Sequence, residues 1–61
     1  MGKFITLLND LGDEVIFTLV ALNRVEVYNT REAVAHVVDC DTASAMQAAH
    51  FADGWKLKIT K

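Results

Sequence analysis

Proline is absent from this sequence of 61 residues, cysteine occurs once and glycine three times. A chain whose only thiol is Cys40 cannot close an intramolecular disulfide, which excludes the disulfide-stapled secreted mini-protein. Long apolar runs are also missing. The longest, Val15 to Leu22, has eight residues and is interrupted by Thr18, whereas a membrane-crossing helix needs roughly twenty. After Lys3 only Phe4 and Ile5 precede Thr6, short of the ~7 to 15 apolar residues of a signal-peptide core, so a cytoplasmic protein is expected. Charge of one sign is scarce: six basic against eight acidic side chains leave a net charge of −2. That is too little for general attraction to nucleic acid, and too little for an acidic mimic of a nucleic-acid backbone. Gly2, Gly12 and Gly54 form no phosphate-cradling pattern, so nothing supports a nucleotide cofactor.

What the sequence has in excess is apolar surface. Its hydrophobic fraction is 52%, above the globular average of about 45 to 50%. A domain of this size buries only about 60% of its unfolded surface. With no linker, repeat or low-complexity segment, residues 1–61 read as one domain. The surplus apolar surface is then expected to meet another chain.

Lys3 to Leu8 is a short β-rich run, and Asn9, Asp10, Gly12 and Asp13 supply turn chemistry after it. Glu14 to Leu22 carries Val, Ile, Phe and Thr, whose branched or aromatic side chains suit a pleated surface, and predicts a strand. Two readings compete from Asn23 onward. Asn29-Thr30-Arg31-Glu32 resembles a helix capping box, which would put Ala33, Val34, Val37 and Val38 on a helix face. Alternatively Asn29 to Arg31 is a turn, and Val25 to Tyr28 pairs with Glu32 to Asp39 as a hairpin. The β-branched Val34, Val37 and Val38 favour the hairpin.

Asp41-Thr42 as N-cap, followed by five alanines between Ala43 and Ala52 and a stop at Gly54, predicts a helix. At ~100° per residue Ala45, Ala48, Ala49 and Ala52 share a face, with Met46 and Phe51 on its flanks and Gln47 and His50 opposite. The alanine face is expected to contact the rest of the fold, anchored by Met46 and Phe51. Trp55, Leu57 and Ile59 then alternate with Lys56, Lys58 and Thr60 as a half-buried strand with a basic outer side. The expected fold is α+β: an antiparallel sheet of four to five short strands in β-β-β-β-α-β order, with one Ala-rich helix on one face. In the second strand Val15, Phe17, Leu19 and Ala21 point one way and Ile16, Thr18, Val20 and Leu22 the other. Both faces are apolar, and one helix covers one, so the second face calls for a second copy or a different protein.

Ser44, Cys40, His36, His50, Asp39 and Asp41 are the ingredients of nucleophilic catalysis, but their spacing defines no site. His36, Cys40 and His50 match no zinc spacing, and a fourth ligand would have to come from Asp39, Asp41 or Asp53. Simpler roles are expected: Ser44 in local capping, His50 solvated on the helix, His36 packed or paired across strands, and the carboxylates in turns and caps. No catalytic residue, metal or cofactor is therefore expected. Lys56, Lys58 and Lys61 lie near Trp55, but the ring should face away from Lys56 and Lys58. That argues against direct binding of single-stranded nucleic acid.

The stretch Val37-Val38-Asp39-Cys40-Asp41-Thr42-Ala43-Ser44-Ala45-Met46-Gln47-Ala48-Ala49, closing with Gly54-Trp55-Lys56-Leu57-Lys58-Ile59, runs from a strand into a capped Ala-rich helix and a last strand. In this outline it resembles small phage-encoded inhibitors, both the T7-type inhibitors of host RNA polymerase and short anti-CRISPR proteins. Strand-strand-strand-helix antitoxins share the outline. The resemblance is one of residue types, covers the C-terminal third to half, and carries over no residue role. It implies a compact protein that blocks a host machine by occupying its surface, in the host cytoplasm. The alternative is a self-assembling structural or antitoxin-like subunit. A homodimer is expected, with Ile16, Val20, Leu22, Tyr28, Met46 and Phe51 as candidates for a partner or dimer interface. Arg24, Arg31, Lys56 and Lys58 are the candidate partner-contacting charges.

Overall fold

The computed structural model describes residues 4–58. Five strands and one helix follow in the order β1 (Phe4–Leu8), β2 (Glu14–Ala21), β3 (Arg24–Asn29), β4 (Val34–Val38), α1 (Cys40–Ala52) and β5 (Lys56–Leu57). All strand pairs are antiparallel, and the sheet order is β4-β3-β2-β1-β5. The α+β fold and its element order are those expected from the sequence. Lys3, assigned above to the first strand, Ile59 and Thr60, assigned to the C-terminal basic strand, and Lys61 lie outside the described residues.

Each hairpin is closed by an asparagine. Asn9 Oδ1 accepts from the amides of Leu11 (3.0 Å) and Asp13 (2.9 Å), which folds the β1–β2 turn over Gly12 at φ +87°. Asn23 takes the left-handed conformation (φ 55°) in the short β2–β3 turn, next to a bulge between Leu19 and Ala21. Its Oδ1 also accepts from the Cys40 amide at 3.0 Å, tying that turn to the start of the helix. Asn29 belongs to a turn and caps no helix: its Oδ1 accepts from the Arg31 amide (2.9 Å), and its carbonyl from the Ala33 amide (2.8 Å). The competition between hairpin and helix thus resolves to the hairpin. The turn runs to Ala33, longer than expected, and β4 starts at Val34 instead of Glu32.

The core is the alternate set of side chains from the three central strands. Leu7, Val15, Phe17, Val25 and Val27 are buried on one face, and Ala43 closes over them from the helix. Register makes this set contiguous: Leu7 opposes Val15, and Phe17 opposes Val27.

Two expectations about the helix are corrected. Its N-cap is Asp39, two residues before Asp41, because the Asp39 carboxylate accepts from the Thr42 amide at 2.7 Å while its backbone is still extended. The helix is also turned the other way round. Ala45, Ala48, Ala49 and Ala52 are exposed, whereas Ala43 is buried and Cys40 and Met46 pack against the core. His50, expected in solvent, is half-buried, with its ring 6.3 Å from Phe17 and 4.9 Å from Trp55, both edge-on. Its Nδ1 lies 2.7 Å from the Met46 carbonyl, so that nitrogen carries the proton and donates. Size decides this orientation. Met46 and the imidazole each bury more area than an alanine, and the ring's polar nitrogen is satisfied within the helix. Phe51, expected as an anchor, is instead exposed.

Ala33 holds φ 55°, a region that costs an L-residue about 1 kcal/mol or more and glycine little. Ala33→Gly should therefore raise stability, or leave it unchanged after the entropic cost of glycine, whereas Ala33→Val should lower it, by about 1–2 kcal/mol; urea titration measures both. His50→Ala is expected to destabilise by about 1–3 kcal/mol and to red-shift the emission of the single tryptophan. A solvated His50 would give neither change.

Candidate functional site

The face of the sheet turned away from α1 has no cover among the described residues. Register lays its side chains out in rows across the strands. One row runs Phe4, Thr18, Glu26, Val37, and the next Thr6, Ile16, Tyr28, Ala35. Leu8, Glu14 and Lys56 follow beyond them. Ile16, Thr18, Glu26 and Tyr28 are half-buried by their neighbours alone. Phe4 (67% exposed) and Val37 (59%) stand at opposite ends of the first row, about 14 Å apart at ordinary strand spacing. The face thus mixes aromatic and aliphatic side chains with Thr6, Thr18 and Glu26.

The charges on this face are unevenly used. Lys58 Nζ pairs with Glu14 Oε2 at 2.8 Å, and Arg31 pairs with Asp13 at the neighbouring turn. Glu26, in the middle of the first row, makes no ion pair among the described residues. Lys56 is exposed beside Leu8. The surface thus offers apolar side chains around a half-buried carboxylate, with an exposed ammonium at one margin.

The interface candidates named from the sequence separate. Ile16 and Tyr28 oppose each other in the middle of the open face. Val20 lies in the bulge and is 53% exposed, and Leu22 at the turn tip is almost fully exposed. Met46 is on the inner side of the helix against the core, and Phe51 is on the helix's exposed surface, away from the open face. Among the charges, Lys56 and Lys58 border the open face. Arg24 is exposed at the start of β3, with a guanidinium N–H donating to the Asn23 carbonyl. Phe4 and Val37 escaped notice in the sequence. Their place in one row follows only from the register of β1 and β4, which the residue pattern does not specify.

The groups weighed for catalysis do not converge on one site, and Ser44 makes no capping hydrogen bond among the described residues. Ser44 is exposed on the helix, His36 opposes Val27 across β3–β4, and His50 is held by Met46, Phe17 and Trp55. Among the described residues no three His, Cys, Asp or Glu side chains come together as metal ligands, and no helix is long and apolar enough to cross a membrane. The Asp39 carboxyl is held below its ordinary value, chiefly by hydrogen bonding from the Thr42 side chain and amide, opposed by desolvation and aided least by the charge of Arg24. No family model, no curated protein and no solved structure matches this chain.

A carboxyl whose pKa is depressed on folding stabilises the fold above its unfolded value, near 3.8, and loses that contribution as pH falls through the lower folded value. Stability should therefore decline in acid below pH 3.8 through the loss of this cap. In Asp39→Asn, which keeps an accepting oxygen without the titration, this component of the decline should vanish. Thermal melts of the two proteins between neutral and strongly acid pH measure it.

Proposed function

We propose that this protein is a non-enzymatic binding module, a phage-type inhibitor that blocks a host protein machine by laying its open sheet face on it. A defence complex such as CRISPR-Cas, or RNA polymerase, is the class of target, met in the host cytoplasm. The observation that carries this reading is the uncovered face itself: Ile16 and Tyr28 oppose each other in one row, and Phe4 and Val37 stand exposed at the two ends of the next. Such a surface gains free energy from contact without any side chain having to move or react. The half-buried Glu26 at its centre asks for a cation on the partner, because a carboxylate desolvated without a counter-charge opposes binding. Lys56 adds a marginal charge that steers approach more than it holds the complex. The outline shared with small phage inhibitors agrees with this mode of action.

A self-assembling or antitoxin-like subunit is the second reading. It is favoured by β4, an exposed edge strand without a charged residue.

The inhibitor reading is tested by adding the purified protein to bacterial RNA polymerase transcription in vitro, and by expressing it in cells that restrict a phage through CRISPR-Cas. Inhibition is expected in one of the two assays. Tyr28→Ala and Phe4→Asp, with unchanged circular dichroism, should each weaken it about tenfold or more, and Glu26→Lys should do so by placing like charge against the partner's cation. Phe51→Ala, on the helix, should leave inhibition intact. Activity in neither assay, or full inhibition by folded Tyr28→Ala and Phe4→Asp, would remove this reading.

A further inference from the structure

The sheet has two edges, and they are built differently. At β5 the edge is a strand of only two residues, Lys56–Leu57, followed by Lys58. Short length and lysines are the usual devices against edge-to-edge pairing. The β4 edge, Val34-Ala35-His36-Val37-Val38, has five residues, no lysine, no proline, no acidic side chain and no bulge. The helix does not shield it: Asn23 holds the Cys40 amide, and α1 then runs inward toward Phe17 and Trp55. Val34, Ala35, His36 and Val37 are all exposed.

The backbone groups free along this edge follow from the ladder. The Thr30 amide donates to the Glu14 carbonyl at 3.0 Å, which marks these opposed residues as a hydrogen-bonded pair of β2 and β3. Antiparallel ladders alternate, so Tyr28 and Glu26 also turn their backbone toward β2, while Asn29, Val27 and Val25 turn theirs toward β4. Val34, His36 and Val38 are their partners. That leaves Ala35 and Val37 with amide and carbonyl both directed out of the sheet.

We propose that β4 pairs antiparallel with β4 of a second copy, about a two-fold axis at His36, to form one continuous ten-stranded sheet from two five-stranded ones. In this register Ala35 of each chain opposes Val37 of the other. Four hydrogen bonds then satisfy every outward backbone group of Ala35 and Val37 in both chains. Neighbouring registers do worse. They bring Ala33 into the ladder, whose φ of 55° is not extended and whose amide already serves Asn29, or Asp39, whose carbonyl already accepts from Ala43. The pairs across the axis are Val34 with Val38, Ala35 with Val37, and His36 with itself, so no acidic or lysine side chain meets its like. The paired strands bury well under the ~1,200 Å² of a standard stable interface, so a concentration-dependent dimer with Kd on the order of 100 μM is expected. The proposal does not depend on what the open face binds.

The register makes the test specific. At a non-hydrogen-bonded antiparallel position the two His36 Cα atoms are about 4.5 Å apart, within disulfide range, while Val34 and Val38 face each other and not themselves. In a Cys40→Ser background, His36→Cys should oxidise to a covalent dimer about tenfold faster or more than Val34→Cys or Val38→Cys. Sedimentation velocity of the unmodified chain up to about 1 mM should show reversible dimerisation. Val37→Pro should abolish it with unchanged circular dichroism, because the amide it removes faces solvent in the monomer. Should Val37→Pro unfold, the cysteine comparison decides by itself. A monomer at all concentrations, equal oxidation at the three cysteine positions, or a dimer that survives folded Val37→Pro would overturn the proposal. So would a dimer dissociated by Phe4→Glu and not by Val37→Pro, which would put the second copy on the open face.

Discussion

A single helix of 13 residues has to close the core over five strands, and most of the architecture follows from that constraint. At 1.5 Å per residue the helix is about 20 Å long. Five strands at ~4.8 Å spacing put the edge strands about 19 Å apart. The helix leaves the sheet at the β4 edge and returns the chain at the β5 edge, so its length just spans the width it must cover. Burial is concentrated where the helix lies over the central strands, at Leu7, Val15, Phe17, Val25 and Val27. The outer strands receive little: Val34 and Leu57 lie in the same row as Leu7 and Val15 and yet are exposed. Nothing remains of the described chain to cover the second face.

The anchoring of that helix explains why its orientation was hard to read from residues. Fold class and element order were legible because β2 is rich in branched and aromatic side chains and because the Ala-rich segment has clear stops. The inward face was not. Ala45, Ala48, Ala49 and Ala52 form the more uniform apolar stripe, and a periodicity argument selects it. Packing selects the opposite side, since Met46 and His50 fill the volume over Phe17 better and an imidazole can hide its polar nitrogen on a carbonyl of its own helix. The cap was ambiguous for a related reason. Asp39 and Asp41 are both good caps, and the choice is made by where β4 ends and by the Asn23 bond to Cys40, a contact across 17 residues of chain.

The open face was half legible. Alternation in β2 announces two apolar faces, and it correctly separates Val15 and Phe17 from Ile16 and Thr18. It does not say which residues of other strands join each face, because that is register, set by the turns. The β3–β4 turn ends at Ala33 in a left-handed conformation that no residue preference advertises, and this fixes Val37 opposite Glu26 and in line with Phe4. A surface whose members come from four strands is a property of the hairpins more than of any one segment.

Face and edge also differ in what they ask of a partner. The open face offers side chains, so a partner held there as proposed would be selected by apolar shape and by a cation for Glu26. The β4 edge offers backbone, which pairs with any extended strand and takes its specificity from register alone. An unguarded edge is a hazard in a chain that meets many proteins, and pairing it with its own copy removes the hazard with no added residue. The same pairing sets two open faces side by side in one sheet. A target with two suitable surfaces would then be held by both, and the weakness of a single small patch would be offset by effective concentration instead of by area.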